Sequence, residues 1–319
     1  MARVLVTRQL PEGGTDPLVA AGHEVVTATD DAPLTHAQLC ASAAEVDAIV
    51  CLLTDRIDDA VIGAGSDRLK VVANVAVGYD NVDVDAATRA GIAVCNTPGV
   101  LDETTADLAF LLILSASRLA STAEGDLRSD RWHGWGINQY LGRDVHGATL
   151  GIVGYGRIGQ AVARRAEGFG MVVLHHTRND TGRPGWVPEL DALLVESDIV
   201  SLHVPLNDGT RHLIDARRLG LMKPSSVLVN TARGPVLDEE AVAVALEEGR
   251  LFAAGIDVYE REPEVHPRLL EAPRTVLLPH IGSASRETRT RMAQMACNGA
   301  VEVLAGKRPP NLVNQPDDR

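Results

Sequence analysis

The sequence predicts an α/β protein made of two doubly wound parallel-sheet domains with a deep cleft between them. Three observations predict it. Short β-branched runs alternate with helical stretches along nearly the whole chain, the pattern of parallel strands covered by helices. The length, 319 residues, is enough for about two domains of ~150 residues each. Midway along the chain, a glycine-rich loop follows an apolar run and opens a helix.

The elements follow in order. Arg3–Thr7 and Glu24–Ala28 read as strands. Thr35 and Gln38 are spaced as a capping box opening a helix. Asp47–Leu53 and Leu69–Val75 are strands, the second followed by a turn at Gly78. Asp83–Ala90 reads as a helix stopped by Gly91, and Ile92–Cys95 as a further strand. Asp102–Ser121 is a long apolar helix whose first turn carries Asp102 and Glu103, suited to the positive end of its dipole. After a break at Ser129–Gly136, strands are expected at Ala148–Val153, Val172–His175, Asp198–His203, Ser226–Asn230, Phe252–Ile256 and Val276–Leu278. Helices are expected at Arg157–Gly168, Glu189–Glu196, Asp238–Glu248 and Glu287–Leu304. In open sheets of this kind ligands bind beyond the carboxyl ends of the strands.

Composition narrows the function. Hydrophobic residues make up 45% and charged residues 23%, which supports packed cores rather than disorder. The net charge of −13 argues against binding nucleic acid or an anionic membrane surface, because phosphate affinity needs a basic face. No apolar run reaches the ~18 residues of a membrane span. The start, Met1–Thr7, reads as a strand and not as a signal peptide. Cys40, Cys51, Cys95 and Cys297 are scattered without metal-ligand spacing, so they read as reduced, packed thiols of a cytoplasmic protein with no metal site.

The loop Gly154-Tyr155-Gly156-Arg157-Ile158-Gly159 fits G-x-G-x-x-G between a strand and a helix, the context that gives the motif its force. Gly154 permits the tight turn and Gly156 the approach of a pyrophosphate. Gly159 permits close packing of helix on strand, while the helix N-terminus supplies N–H groups. The end of the next strand bears on the choice of cofactor. An acidic residue there would accept from a ribose 2′-hydroxyl and repel a 2′-phosphate. This chain has Thr177 and Arg178 instead, and its first acid is Asp180. A hydroxyl and a guanidinium favour NADP(H), with NAD(H) still open.

Three polar residues follow strand-like runs in the second half: Arg233, Glu262 and His280. Reduction of a 2-oxo acid needs these types. A guanidinium grips a carboxylate with two bonds, an imidazole titrates near working pH, and a carboxylate favours and orients the imidazolium. Taken singly, each also reads as a surface or packed residue, and chain order does not bring them together.

Several stretches carry a family resemblance: Asn74–Asp83, Gly154–Gly159, Asn230–Gly234, Asp257–Pro263 and Pro279–Gly282. With these in order, the chain resembles the D-isomer-specific 2-hydroxyacid dehydrogenases over essentially its whole length. Arg131–Gly136, Gly142–Gly147 and Thr177-Arg178 resemble most the glyoxylate/hydroxypyruvate reductase branch. The resemblance implies two Rossmann-like or flavodoxin-like domains. A discontinuous substrate-binding domain would span 1–98 plus 284–319, and a dinucleotide-binding domain 99–283. It implies that Arg233 holds the substrate, that His280 is the general acid, that Glu262 pairs with it, and that Val77 and Gly78 grip the substrate carboxylate. Thr105, His203, Val204, Pro205, Thr231, Ala232, Asp257 and Gly282 would line the cofactor. It also implies a homodimer joined through about 100–146. Aromatics are only 3% of the chain, so Trp132 and Trp135 together favour an interface anchor over core packing. The implied activity is NAD(P)H-dependent reduction of a small 2-oxo acid such as glyoxylate or hydroxypyruvate. Two alternatives stay open: another 2-hydroxy acid such as 3-phosphoglycerate, and an NAD(H)-sensing corepressor-like protein.

Overall fold

A computed structural model describes residues 1–28 and 32–316. The chain divides into two compact units, Met1–Leu101 with the residues from Ser283 onward, and Asp102–Gly282.

The first unit runs β1 (Arg3–Val6), α1 (Asp16–Ala20), β2 (Glu24–Thr27), α2 (His36–Ala43), β3 (Ala48–Cys51), α3 (Asp59–Ala64), β4 (Val71–Asn74), α4 (Val84–Arg89) and β5 (Ala93–Cys95). All its strand pairs are parallel, in the order β2-β1-β3-β4-β5. β3, β4 and β5 are buried at every residue, as expected of strands covered on both faces. The capping box forms at α2. The Thr35 side chain accepts the Gln38 N–H at 3.3 Å, and Gln38 Oε1 accepts the Thr35 N–H at 2.8 Å. Gly91, at φ +64°, follows α4 as its left-handed stop.

The second unit opens with α5 (Asp102–Ser117) and α6 (Ala120–Arg128). It continues β6 (Thr149–Val153), α7 (Arg157–Gly168), β7 (Val172–His176), α8 (Leu190–Glu196), β8 (Ile199–Leu202), α9 (Ala216–Leu219) and β9 (Val227–Asn230). It ends with α10 (Glu239–Glu247), β10 (Ala253–Ile256), α11 (Pro267–Glu271) and β11 (Thr275–Leu277). The sheet is wholly parallel, in the order β11-β10-β9-β8-β6-β7. The chain then returns to the first unit as α12 (Arg286–Leu304), which packs on α1 and on β3, β4 and β5.

The single helix expected over Asp102–Ser121 is two. Leu119 adopts a left-handed conformation, φ 55°, between α5 and α6. The carbonyl of Ser117 accepts from the N–H of Arg143 at 2.8 Å, and Gly142 packs so closely there that a Cβ would overlap that oxygen. The 142–143 backbone thus takes the acceptor that would have continued the helix. Most strands are one to three residues shorter than the runs that predicted them, because run ends bond to turns rather than to the ladder, whereas β7 runs one residue further, to His176, and β11 begins and ends one residue earlier. The short helices α1, α3, α9 and α11 had no signal, being about one turn long and too short for a helical period. Trp132 and Trp135 are 45% and 79% exposed on this chain, so core packing within it does not account for them. Among the described residues no single helix is long and apolar enough to cross a membrane.

α5 is the central helix of the second unit, packed on β9, β10 and β11. Its Leu112 is fully buried, and a Cβ on Gly255 of β10 would lie 2.9 Å from the Leu112 Cβ. Helix and strand leave no slack there. Leu112→Ala should therefore cost about 2–5 kcal/mol in denaturant unfolding of this unit. A loss under about 1 kcal/mol would show that the contact relaxes freely.

Candidate active site

The glycine loop sits where the order of the second sheet reverses, between β6 and β8. Gly154 has φ +94°, and a Cβ there would lie 2.5 Å from the carbonyl oxygen of His203 and 2.9 Å from Val204. A Cβ on Gly159 would overlap the carbonyl oxygen of Gly154. Those two glycines are required by packing within the protein. Gly156 differs: nothing lies within 4 Å of where its Cβ would stand, and it is the N-cap of α7 without a side-chain cap. Arg157, Ile158 and Gly159 therefore begin a helix whose first N–H groups have no intrahelical acceptor. Thr231 Oγ1, at the exit of β9, is buried without a hydrogen-bond partner. An open cradle at a helix N-terminus and an unsatisfied buried hydroxyl both fit a dinucleotide.

The flanks of the loop are fixed by the protein itself. Tyr155 stacks on His175 with ring centroids 3.8 Å apart. Arg157 pairs with Asp102 at 3.2 Å. Past β7 the Thr177 hydroxyl donates to the carbonyl of Asn179 at 2.7 Å, and Arg178 is exposed. Asp180 Oδ1 accepts the N–H of Gly182 at 2.8 Å, closing its own turn. His203, Val204 and Pro205 follow β8. Desolvation takes the His203 imidazole down to about 4, and its Nε2 lies 2.8 Å from Ser201 Oγ.

β9, β10 and β11 are neighbours in the sheet, and their exits carry Arg233, Glu262 and His280. After β9, Asn230 laces its own turn: Nδ2 donates to the carbonyl of Arg233 at 2.9 Å and Oδ1 accepts the N–H of Ala232 at 3.0 Å. Arg233 Nη1 donates to the carbonyl of Ala232 at 2.9 Å. The next residue, Gly234, lies so close to the loop after β10 that a Cβ would overlap the carbonyl group of Tyr259. After β10, Asp257 captures three successive N–H groups, all at 2.8 Å. Its carbonyl accepts from His280, its Oδ1 from Ile281 and its Oδ2 from Gly282. These bonds hold His280 in a left-handed conformation, φ 54°, uncommon for a residue with a side chain. Tyr259 ties the same two exits. Its hydroxyl donates to the carbonyl of Leu278 at 2.9 Å, and its N–H donates to Glu262 Oε1 at 3.0 Å. The other oxygen, Glu262 Oε2, lies 2.8 Å from His280 Nδ1.

The two carboxyl groups here are driven in opposite directions. Burial pushes Glu262 up, but the hydrogen bond and charge of His280, the Tyr259 N–H and the charge of Arg233 outweigh it, leaving Glu262 below the usual range. Burial carries Asp257 up to about 6, aided by the charge of Glu262. The N–H groups of Ile281 and Gly282 and the charge of His280 oppose the rise. Asp257, Thr105 and Gly282 are clustered: a Cβ on Gly282 would lie 3.3 Å from Asp257 Oδ2 and 3.6 Å from Thr105. Val77 and Gly78 belong to the first unit, just past β4. There Asn96 Nδ2 donates to the carbonyl of Val77 at 2.8 Å and Asn74 Nδ2 to that of Gly78 at 2.9 Å. Sequence reasoning missed Tyr259 and Gly234 as positioning elements, because both act on backbone, which no residue spacing reveals. Among the described residues no group of three or more His, Cys, Asp or Glu could hold a metal ion.

Residues 110–282 match the family model for the NAD binding domain of the D-isomer specific 2-hydroxyacid dehydrogenases. The chain is 48% identical to the glyoxylate reductase of Korarchaeum cryptofilum, over 98% of this chain and 96% of that one. It is similar to a solved protein from Thermus thermophilus, with a TM-score of 0.92 and 43% identity over 98% of this chain and all of that one. It is also similar to the NADPH-dependent glyoxylate/hydroxypyruvate reductase of Sinorhizobium meliloti solved with NADP and malonate. The TM-score there is 0.85, with 34% identity over 98% of this chain and 96% of that one.

Asp257 has a signature in stability. Its folded-state value of about 6 exceeds the usual 3.8. Its contribution is thus fully present below 3.8 and is lost as pH rises through about 6. Asp257→Asn removes that titration. The stability of the parent relative to this variant should grow by up to about 3 kcal/mol as pH falls from about 7 to about 4. A difference that is flat with pH would contradict the assignment.

Proposed function

The chain belongs to the D-isomer specific 2-hydroxyacid dehydrogenase family, and from that premise we propose that it reduces glyoxylate and hydroxypyruvate to the 2-hydroxy acids, with NADPH preferred over NADH. The observation that carries the reading is the contact of Glu262 with His280 beside Arg233, on the sheet edge that also bears the Gly154–Gly159 loop.

When bound, the nicotinamide supplies the hydride. The protein's own groups do the rest. Gly156 and the first N–H groups of α7 receive the pyrophosphate. Arg233 grips the substrate carboxylate and orients the keto oxygen. Glu262 is ionised at neutral pH and can only accept, so His280 Nδ1 must carry a proton. That leaves Nε2 as the atom that gives a proton to the developing alkoxide and takes it back in oxidation. The carboxylate at Nδ1 also fixes the orientation of the ring.

The preference for NADPH rests on the exit of β7. Arg178 is exposed there, and the first carboxylate, Asp180, is engaged in its own turn. A 2′-phosphate would meet a guanidinium and no strand-end acid. Exposed Trp132, Trp135, Ile137 and Leu141 support a homodimer contact within about 100–146. The free, buried thiols of Cys51, Cys95 and Cys297 suit a reducing, cytoplasmic setting.

A panel of 2-oxo acids with each nicotinamide tests the proposal. Glyoxylate and hydroxypyruvate should give the highest kcat/KM, NADPH should surpass NADH, and His280→Ala should lower kcat by about 10²–10⁴. No turnover with any 2-oxo acid would favour the corepressor-like alternative. A clear NADH advantage would reject the role given to Thr177 and Arg178.

A further inference from the structure

A second carboxylate system lies beside the Glu262–His280 pair. Glu239, the first residue of α10, is only 3% exposed. Its Oε1 accepts the backbone N–H of Glu260 at 2.5 Å and its Oε2 that of His266 at 3.1 Å. Glu260 and His266 bracket Glu262 in the chain, so one buried side chain holds both arms of the loop that carries it. Glu260 reciprocates. Its Oε1 accepts the N–H of Glu239 at 3.0 Å, and its Oε2 lies 3.0 Å from Nε2 of His212. The clasp works like a capping box, but it joins a helix start to a distant loop.

Burying a carboxyl group is costly, and a loop that needed only to close could be filled by a neutral side chain. A carboxylate at this place offers two acceptors, and its charge strengthens both bonds. It also stands at the positive end of α10. On the other side of the loop, Gly234 brings the Arg233 turn against Tyr259. The loop is therefore pinned from α10, from the β9 exit and, through the Tyr259 hydroxyl, from the β11 exit. The bonds from Glu239 are the ones that reach both its arms.

We propose that Glu239 is a positioning residue for the reaction: by holding the N–H groups of Glu260 and His266 it sets the loop so that the Glu262 carboxylate meets His280 Nδ1. The proposal rests on the roles given above to Glu262 and His280, and its test separates the two.

The pH dependence of kcat/KM for glyoxylate reduction is measured for the parent, Glu262→Gln, Glu239→Gln and the double variant, with melting temperatures alongside. A glutamine at 239 keeps one acceptor and turns its amide toward an N–H. Folded Glu239→Gln should lose about tenfold in kcat, one charge-assisted bond's worth. The pH at which reduction declines should move down, in the direction set by Glu262→Gln. In the double variant the midpoint should match that of Glu262→Gln, because Glu239 acts only through Glu262. A lower melting temperature with an unmoved pH profile, or shifts that add in the double variant, would make Glu239 a stability residue and overturn the proposal. An unmoved profile in Glu262→Gln would instead overturn the reading of the pair itself. If Glu239→Gln does not fold, Glu239→Asp keeps the carboxylate but withdraws it by one methylene from the N–H groups of Glu260 and His266. The same downward shift there supports the proposal, and no shift overturns it.

Discussion

The rest of the site depends on the 2.8 Å contact between Glu262 Oε2 and His280 Nδ1. It distinguishes the two ring nitrogens: Nδ1 is committed to the carboxylate, and in the function proposed above Nε2 exchanges the proton. Neither partner can make the contact alone. His280 is held in a left-handed backbone by the three N–H groups that Asp257 collects, and Glu262 is aimed by the Tyr259 N–H. Three adjacent parallel strands bring these groups to one edge. The parallel sheet thus turns residues far apart in the chain into neighbours.

The electrostatics follow from the same arrangement. Asp257 and Glu262 both suffer burial, yet end on opposite sides of the ordinary carboxyl value. Glu262 has a ring, a backbone N–H and a nearby guanidinium to favour its charge. Asp257 has two backbone N–H groups on its oxygens and a carboxylate nearby, and burial wins. The net charge of −13 says nothing about this site. Local geometry decides it, because interactions at a few ångströms outweigh distant, screened charges.

Much of this was legible in the sequence wherever a local rule applies. The strand–glycine loop–helix context marked Gly154–Gly159, and the Thr35–Gln38 spacing marked a capping box that forms. The residue types at Arg233, Glu262 and His280 suggested the chemistry proposed above, and two of them meet in the fold. What could not be read was anything in which a side chain meets distant backbone. The capture of the 280–282 N–H groups by Asp257 leaves no trace in spacing. Nor does the Tyr259–Leu278 bond, or the seizure of the Ser117 carbonyl that splits the long helix at Leu119. Backbone donors and acceptors are the same at every residue, so only the folded chain shows which are used.

The central claim concerns a proton: an ionised Glu262 holds one on Nδ1 of His280. Nitrogen-15 NMR of the histidine rings, with His280 assigned by substitution, reads it directly across neutral pH. The account predicts a proton on Nδ1. A neutral ring whose proton sits on Nε2, with Nδ1 bare, would contradict it.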